Sequence, residues 1–225
     1  MDYVEEQGIS IVANGAFNPA IFNPSWLCRH ELISAGEEEA STIEIIHPEI
    51  SQFTVPGIKF DIQTERAALN GLAEPFIRAV EMFSQIFERL LPHTPIDNVG
   101  VNYWVHFTAK DWAQRQRFAR LFVPIEPWGE FGQLLESDNK TLAGGFSTLS
   151  MRAAFPDYGE NGSINVHLQP SAKIGGDNGV FAAVNHHFSN FDGENAGGAV
   201  LRSYDSCMKY SRTLIKYLIE KARSS

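Results

Sequence analysis

The chain predicts an α+β fold: duplicated β-α-β-β-β-α units that form one mostly antiparallel sheet of eight strands, with two long helices on one face. Three observations carry this expectation. From Asn98 the residues alternate, with Val99, Val101, Tyr103, Val105 and Phe107 set against Asn98, Asn102 and His106, which is the period of a half-buried strand. Two stretches, Phe76 to Leu90 and Leu201 to Ala222, repeat apolar residues at helical spacing. The order of elements before residue 93 also reads like the order after residue 97.

In chain order, residues 9–13 (Ile-Ser-Ile-Val-Ala) form a strand that the Asn14-Gly15 turn signal ends. Asn23 caps a short helix that begins at Pro24 and runs to Gly36. Between Ser41 and Glu65, Pro48 and Pro56-Gly57 divide three strands. The first long helix then starts near Pro75 and stops at Pro92. After the central strand, Thr108 and Asp111 have capping-box spacing for a helix that Pro124 ends. In the following loop to Asp138, Trp128 and Phe131 are expected to pack as a lid over a core edge. Strands at about 140–155, 163–169 and 179–191 follow, joined by glycine-containing turns, and the final helix closes the chain. The halves, about 8–92 and 97–222, then make one pseudo-twofold domain over residues 1–225.

Composition excludes several function classes. A formal charge of -9 among 225 residues disfavours a phosphate backbone or an anionic bilayer as partner. No run is long and apolar enough to cross a membrane. The N-terminus lacks the basic and apolar regions of a secretory signal, and the two cysteines, Cys28 and Cys207, sit in apolar helical patterns. A cytoplasmic protein without disulfides is expected, and the sequons at Asn139 and Asn161 carry no glycan in that setting.

The order of elements resembles that of duplicated saddle-shaped folds such as the TATA-binding protein, a likeness of fold that carries no DNA binding with it. Two phrases, Asn14-Gly-Ala-Phe-Asn-Pro-Ala-Ile-Phe-Asn-Pro-Ser-Trp26 and His93-Thr-Pro-Ile-Asp-Asn-Val-Gly-Val-Asn102, resemble those of a sporadically distributed, functionally uncharacterised bacterial protein family of similar length. That resemblance implies a bacterial cytoplasmic protein and assigns no activity.

If both long helices cover one face of the sheet, the other face is left for solvent or a partner. Alternation places Asn102, Trp104 and His106 of the central strand there, with Asn165, His167 and Gln169, and with Asn185 and His187, from two later strands. Mixed aromatic and polar residues on an uncovered surface are what interface centres use. The leading expectation is therefore a non-catalytic binding protein that docks a protein partner or a second copy of itself, through this face or an edge strand, without a cofactor. Its binding residues would be Asn102, Trp104, His106, Asn165, His167, Asn185 and His187.

One alternative is a metal-dependent hydrolase in which His106, His167 and His187 hold a metal that activates water, with Asp192 or Glu194 completing the site. No His-x-His or His-Glu-x-x-His spacing supports it. A second alternative is a small-molecule binder with a cavity under the C-terminal helix. His186 faces the helices as a core histidine, and His30, His47 and His93 are isolated structural residues. No nucleophile elbow or phosphate-binding glycine motif is present; Gly144-Gly145 and Gly175-Gly176 read as a bulge and a turn. Arg115, Arg117 and Arg120 form a local basic patch on the outer side of a helix.

Overall fold

In the computed structural model, residues 3–136, 145–189, 191 and 195–224 are described. Their strands are β1 (Val4–Gly15), β2 (Thr42–His47), β3 (Ile50–Val55), β4 (Ile58–Gln63), β5 (Arg66–Gly71), β6 (Ile96–Thr108), β7 (Leu149–Ala154), β8 (Ser163–Pro170) and β9 (Gly179–Ser189). All pair in one open sheet of order β2-β3-β4-β5-β1-β6-β9-β8-β7. Every junction is antiparallel. The central pair is β1 and β6, and each is flanked by the last strand of its own half.

The helices are α1 (Pro24–Arg29), α2 (Ala35–Glu39), α3 (Ile77–Ser84), α4 (Trp112–Phe122), α5 (Gly129–Leu135) and α6 (Ala196–Ser224). α3 continues as a wider π-turn over Gln85–Leu90. α3 packs on β1, β5 and α6, while α6 packs on β6 and β9. Both long helices therefore lie on the face that carries Ile9, Ile11, Phe60, Leu69, Val101, Tyr103 and Val184, all buried in one core. Phe76 and Tyr103 meet edge to face at 6.3 Å. Each large side chain buried in this layer contributes roughly 1.5–3 kcal/mol, which is why the long apolar stripes stay on the sheet.

Nine strands form rather than eight. The extra one is β5, whose Arg-Ala-Ala-Leu-Asn-Gly sequence is rich in helix formers and lacks β-branched residues. It is held as a strand from both sides, by β1 and β4, so tertiary pairing overrides local propensity. Two boundaries also move. The helix capped by Asn23, whose Oδ1 accepts from the Trp26 amide at 2.8 Å, ends at Arg29, and Glu31 takes a positive φ of 60°. Gly36 lies inside α2, which opens with a capping box between Ser34 and Glu37. The cap of α4 is Asp111 rather than Thr108, its carboxylate accepting from the Gln114 amide at 2.7 Å; Thr108 is still paired in β6.

Trp128 and Phe131 do not close over a core edge: each is 55% exposed. The first part of the strand expected from residue 140 falls outside the described residues, as do Asn139, Gly144, Asp192 and Glu194, and the rest begins at Leu149.

Candidate functional site: the uncovered sheet face

Antiparallel register decides which side chains become neighbours across a sheet. Here it sets one file of polar residues across seven strands: Lys59, Asn70, Ser10, Asn102, Asn185, Asn165 and Arg152. All point away from the helices. The Ser10 hydroxyl donates to Asn70 Oδ1 at 2.7 Å, and Asn102 Nδ2 donates to the Ser10 carbonyl at 3.2 Å. Asn185 Nδ2 donates to Asn102 Oδ1 at 2.7 Å, and Asn165 Nδ2 donates to Asn185 Oδ1 at 3.1 Å. Each amide passes one donor along the file and keeps further hydrogen-bonding capacity, because an Asn side chain has two donors and two acceptor positions. A second pair, Asn14 Nδ2 to Asn98 Oδ1 at 2.8 Å, lies one end further along β1 and β6.

Two glycines make room for this arrangement. A Cβ on Gly8 would stand 2.4 Å from the Trp104 indole, so the ring lies directly against the β1 backbone. A Cβ on Gly100 would stand 2.6 Å from Asn185 Nδ2 and would displace the amide from the file.

Toward the other end lies an aromatic group. Trp104 and His106 are 5.7 Å apart edge to face, and Phe181 lies 4.9 Å from His106 and 6.0 Å from His167. The loop after β8 reaches onto this group: Ser171 Oγ is 2.7 Å from His106 Nδ1, and Lys173 stands over the Trp104 ring while pairing with Glu6. Burial lowers the pKa of His106 from its ordinary value, the Glu6 charge raises it, and the Lys173 charge lowers it further. Burial also lowers that of His187, with a smaller contribution from Arg152. His167 Nε2 is 3.1 Å from Gln169 Oε1.

All seven sequence-predicted binding residues share this face. Asn102, Asn165 and Asn185 are in direct register, while His106 and His167 flank Phe181 and Trp104 packs against His106. The three histidines proposed as metal ligands are not brought together. His187 pairs with Gly100, six positions along β6 from His106, or roughly 20 Å at the rise of a strand. Among the described residues no three His, Cys, Asp or Glu side chains group closely enough to hold a metal ion.

Ser10 and Asn70 of the first half, and Phe181, escaped the sequence reading. Alternation marks Ser10 and Phe181 as facing opposite to the core, but only the register shows what they meet.

His186 does face the helices. It is fully buried, with Nδ1 at 3.0 Å from the Tyr158 hydroxyl and Nε2 at 2.8 Å from Ser211 Oγ of α6. Cys207 Sγ lies 3.5 Å from the same Tyr158 hydroxyl, and burial pushes its thiol up to about 11. This buried cluster ties β9 to α6 and to the turn at Pro156–Tyr158. The His30 ring lies tilted against Trp26 with centroids 4.7 Å apart, and His47 Nδ1 accepts from the Glu49 amide.

The two phrases noted in the sequence meet elsewhere. Ala16 donates its amide to the Pro95 carbonyl at 2.9 Å, and Phe17, Phe22, Phe87 and His93 help line a cleft of about 490 Å³ beside the end of the first long helix.

Among the described residues no helix is long and apolar enough to cross a membrane. No family model matches the chain, and no curated protein is significantly similar to it.

Proposed function

We propose that the protein is a non-catalytic binding protein whose uncovered sheet face docks a polypeptide, most simply a second copy of the same chain. One observation carries this reading: a hydrogen-bonded amide file beside an aromatic group, on the sheet face opposite the two long helices. The amides retain donors and acceptors for a polypeptide surface, and Trp104 and Phe181, both partly exposed on either side of the buried His106, supply the apolar contact that interface centres use. Most charges on this face are paired with one another, Lys59 with Glu44, Arg66 with Asp61 and Lys173 with Glu6, so two copies can approach without a strong like-charge field.

The face is favoured over the edges. β2 is exposed along its length, with Ile43 at 57% and Ile45 at 40%, but its pairing with β3 is broken by a bulge between these residues. Bulges twist an edge away from a straight strand partner and so protect it from open-ended pairing.

On this reading the two halves are copies of one β-α-β-β-β-α unit, with β5 matching β9 and the edge strand β2 additional in the first half, and the chain acts in a bacterial cytoplasm. The palindromic strand order around β1 and β6 supports the copying.

Sedimentation equilibrium of the native protein and of Trp104→Ala and Asn185→Ala tests the proposal. A dimer at micromolar concentration is expected, weakened at least about tenfold by Trp104→Ala, the usual scale for an aromatic centre. A strict monomer whose other partner interactions are untouched by Trp104→Ala would contradict it.

A further inference from the structure

α4 turns Arg115 toward the ends of β8 and β9, where it lines a cavity of about 200 Å³ with Gln116, Gln169, Pro170 and Val180. Gln116, Ala119, Gly145 and Phe146 also line a second cavity of about 310 Å³, so the two chambers share a wall. The second chamber is mainly apolar, with Val123, Ile125, Trp128, Phe131 and Leu135 along it.

The charges around these chambers are unequal in their pairing. Arg120 is 3.7 Å from Glu136, and Arg117 is bonded to the Gln114 side chain. Among the described residues Arg115 forms no ion pair of contact distance, and Asp177 acts on it only as a longer-range charge that favours its charged form. Burial opposes that charged form. A half-buried cation, with part of its hydration removed, gains more from a bound anion than one in free water. Next to it, Trp128 and Phe131 remain more than half exposed with their rings 6.1 Å apart, an apolar surface that the fold itself leaves uncovered.

We propose that the two adjoining chambers, which border the same four residues, together bind a small amphipathic carboxylate, such as a free medium-chain fatty acid. Its head would lie against Arg115 and the amides of Gln116 and Gln169, and its chain would run along the apolar chamber past Trp128 and Phe131. The planar guanidinium is suited to bidentate contact with a carboxylate, and the combined site has the usual make-up of a ligand pocket, apolar walls with a few convergent polar groups. This site lies at α4 and α5, away from the amide file, and does not depend on the docking proposed for that face.

Calorimetric titration of the full chain with octanoate, octan-1-ol and acetate tests it. Octanoate is expected to saturate at one site per chain and to bind at least about tenfold more tightly than either control, because the alcohol lacks the charge-assisted contact and acetate lacks the chain. Arg115→Gln should bring octanoate down to the affinity of the alcohol. Ala119→Leu, which fills the shared wall without touching the cation, should weaken octanoate at least about tenfold in a protein of unchanged circular dichroism. Equal binding of octanoate and octan-1-ol, octanoate binding unchanged by Arg115→Gln, or no binding at millimolar octanoate would overturn the proposal.

Discussion

His186 is held between the Tyr158 hydroxyl and Ser211 in a site with no exposure, and desolvation lowers its pKa from 6.5 to about 4. The folded chain therefore keeps His186 neutral where the unfolded chain would protonate it. Since the unfolded state then binds more protons, stability is full above pH 6.5 and falls as the pH drops from there to about 4. The loss amounts to roughly 3 kcal/mol, one pKa unit corresponding to about 1.4 kcal/mol. Urea midpoints measured across this range should fall for the native chain and flatten for His186→Gln; an unchanged slope would remove His186 as the cause. Ser211→Ala leaves Nε2 without its partner and should cost about 1–3 kcal/mol at pH 7. On the other face, Gly100→Ala must displace Asn185 or the backbone. It should destabilise by about 1–3 kcal/mol in thermal or urea unfolding, the usual cost of overpacking.

At the scale of elements, what was legible depended on whether a segment carries its own signal. β6 was readable because its apolar and polar residues alternate over its whole length, and both long helices because their stripes repeat over several turns. β5 was not, since its Ala and Leu residues favour a helix and only its neighbours make it a strand. The caps show the same division. Asn23 acts as expected, whereas at α4 the choice between Thr108 and Asp111 turned on where β6 stops pairing, a fact of register. Asp111→Ala should lower stability by about 1 kcal/mol in urea unfolding, while Thr108→Val, which leaves that cap intact, should cost less than half as much.

Across the whole molecule, one antiparallel sheet divides the chain's chemistry. Its inner face holds the buried core and His186 beneath α3 and α6, and its outer face holds the amides, His106, His167, His187 and Trp104. The identity of the outer residues was open to sequence reading because side chains alternate along a strand. Their grouping was not, because it needs the strand order: that order puts Asn102, Asn185 and Asn165 side by side and carries His187 away from His106. Ala183 sits at the middle of the outer face, paired with Trp104 on one side and His167 on the other. In a Cys28→Ser background, with the buried Cys207 silent, the thiol-labelling rate of Ala183→Cys reports directly on that face. The expected result is fast labelling in dilute solution and at least about tenfold protection as the protein concentration rises through the association range. A thiol as unreactive as Cys207 when dilute, or one labelled equally fast at every concentration and with every candidate partner present, would contradict an outer face that is free to dock.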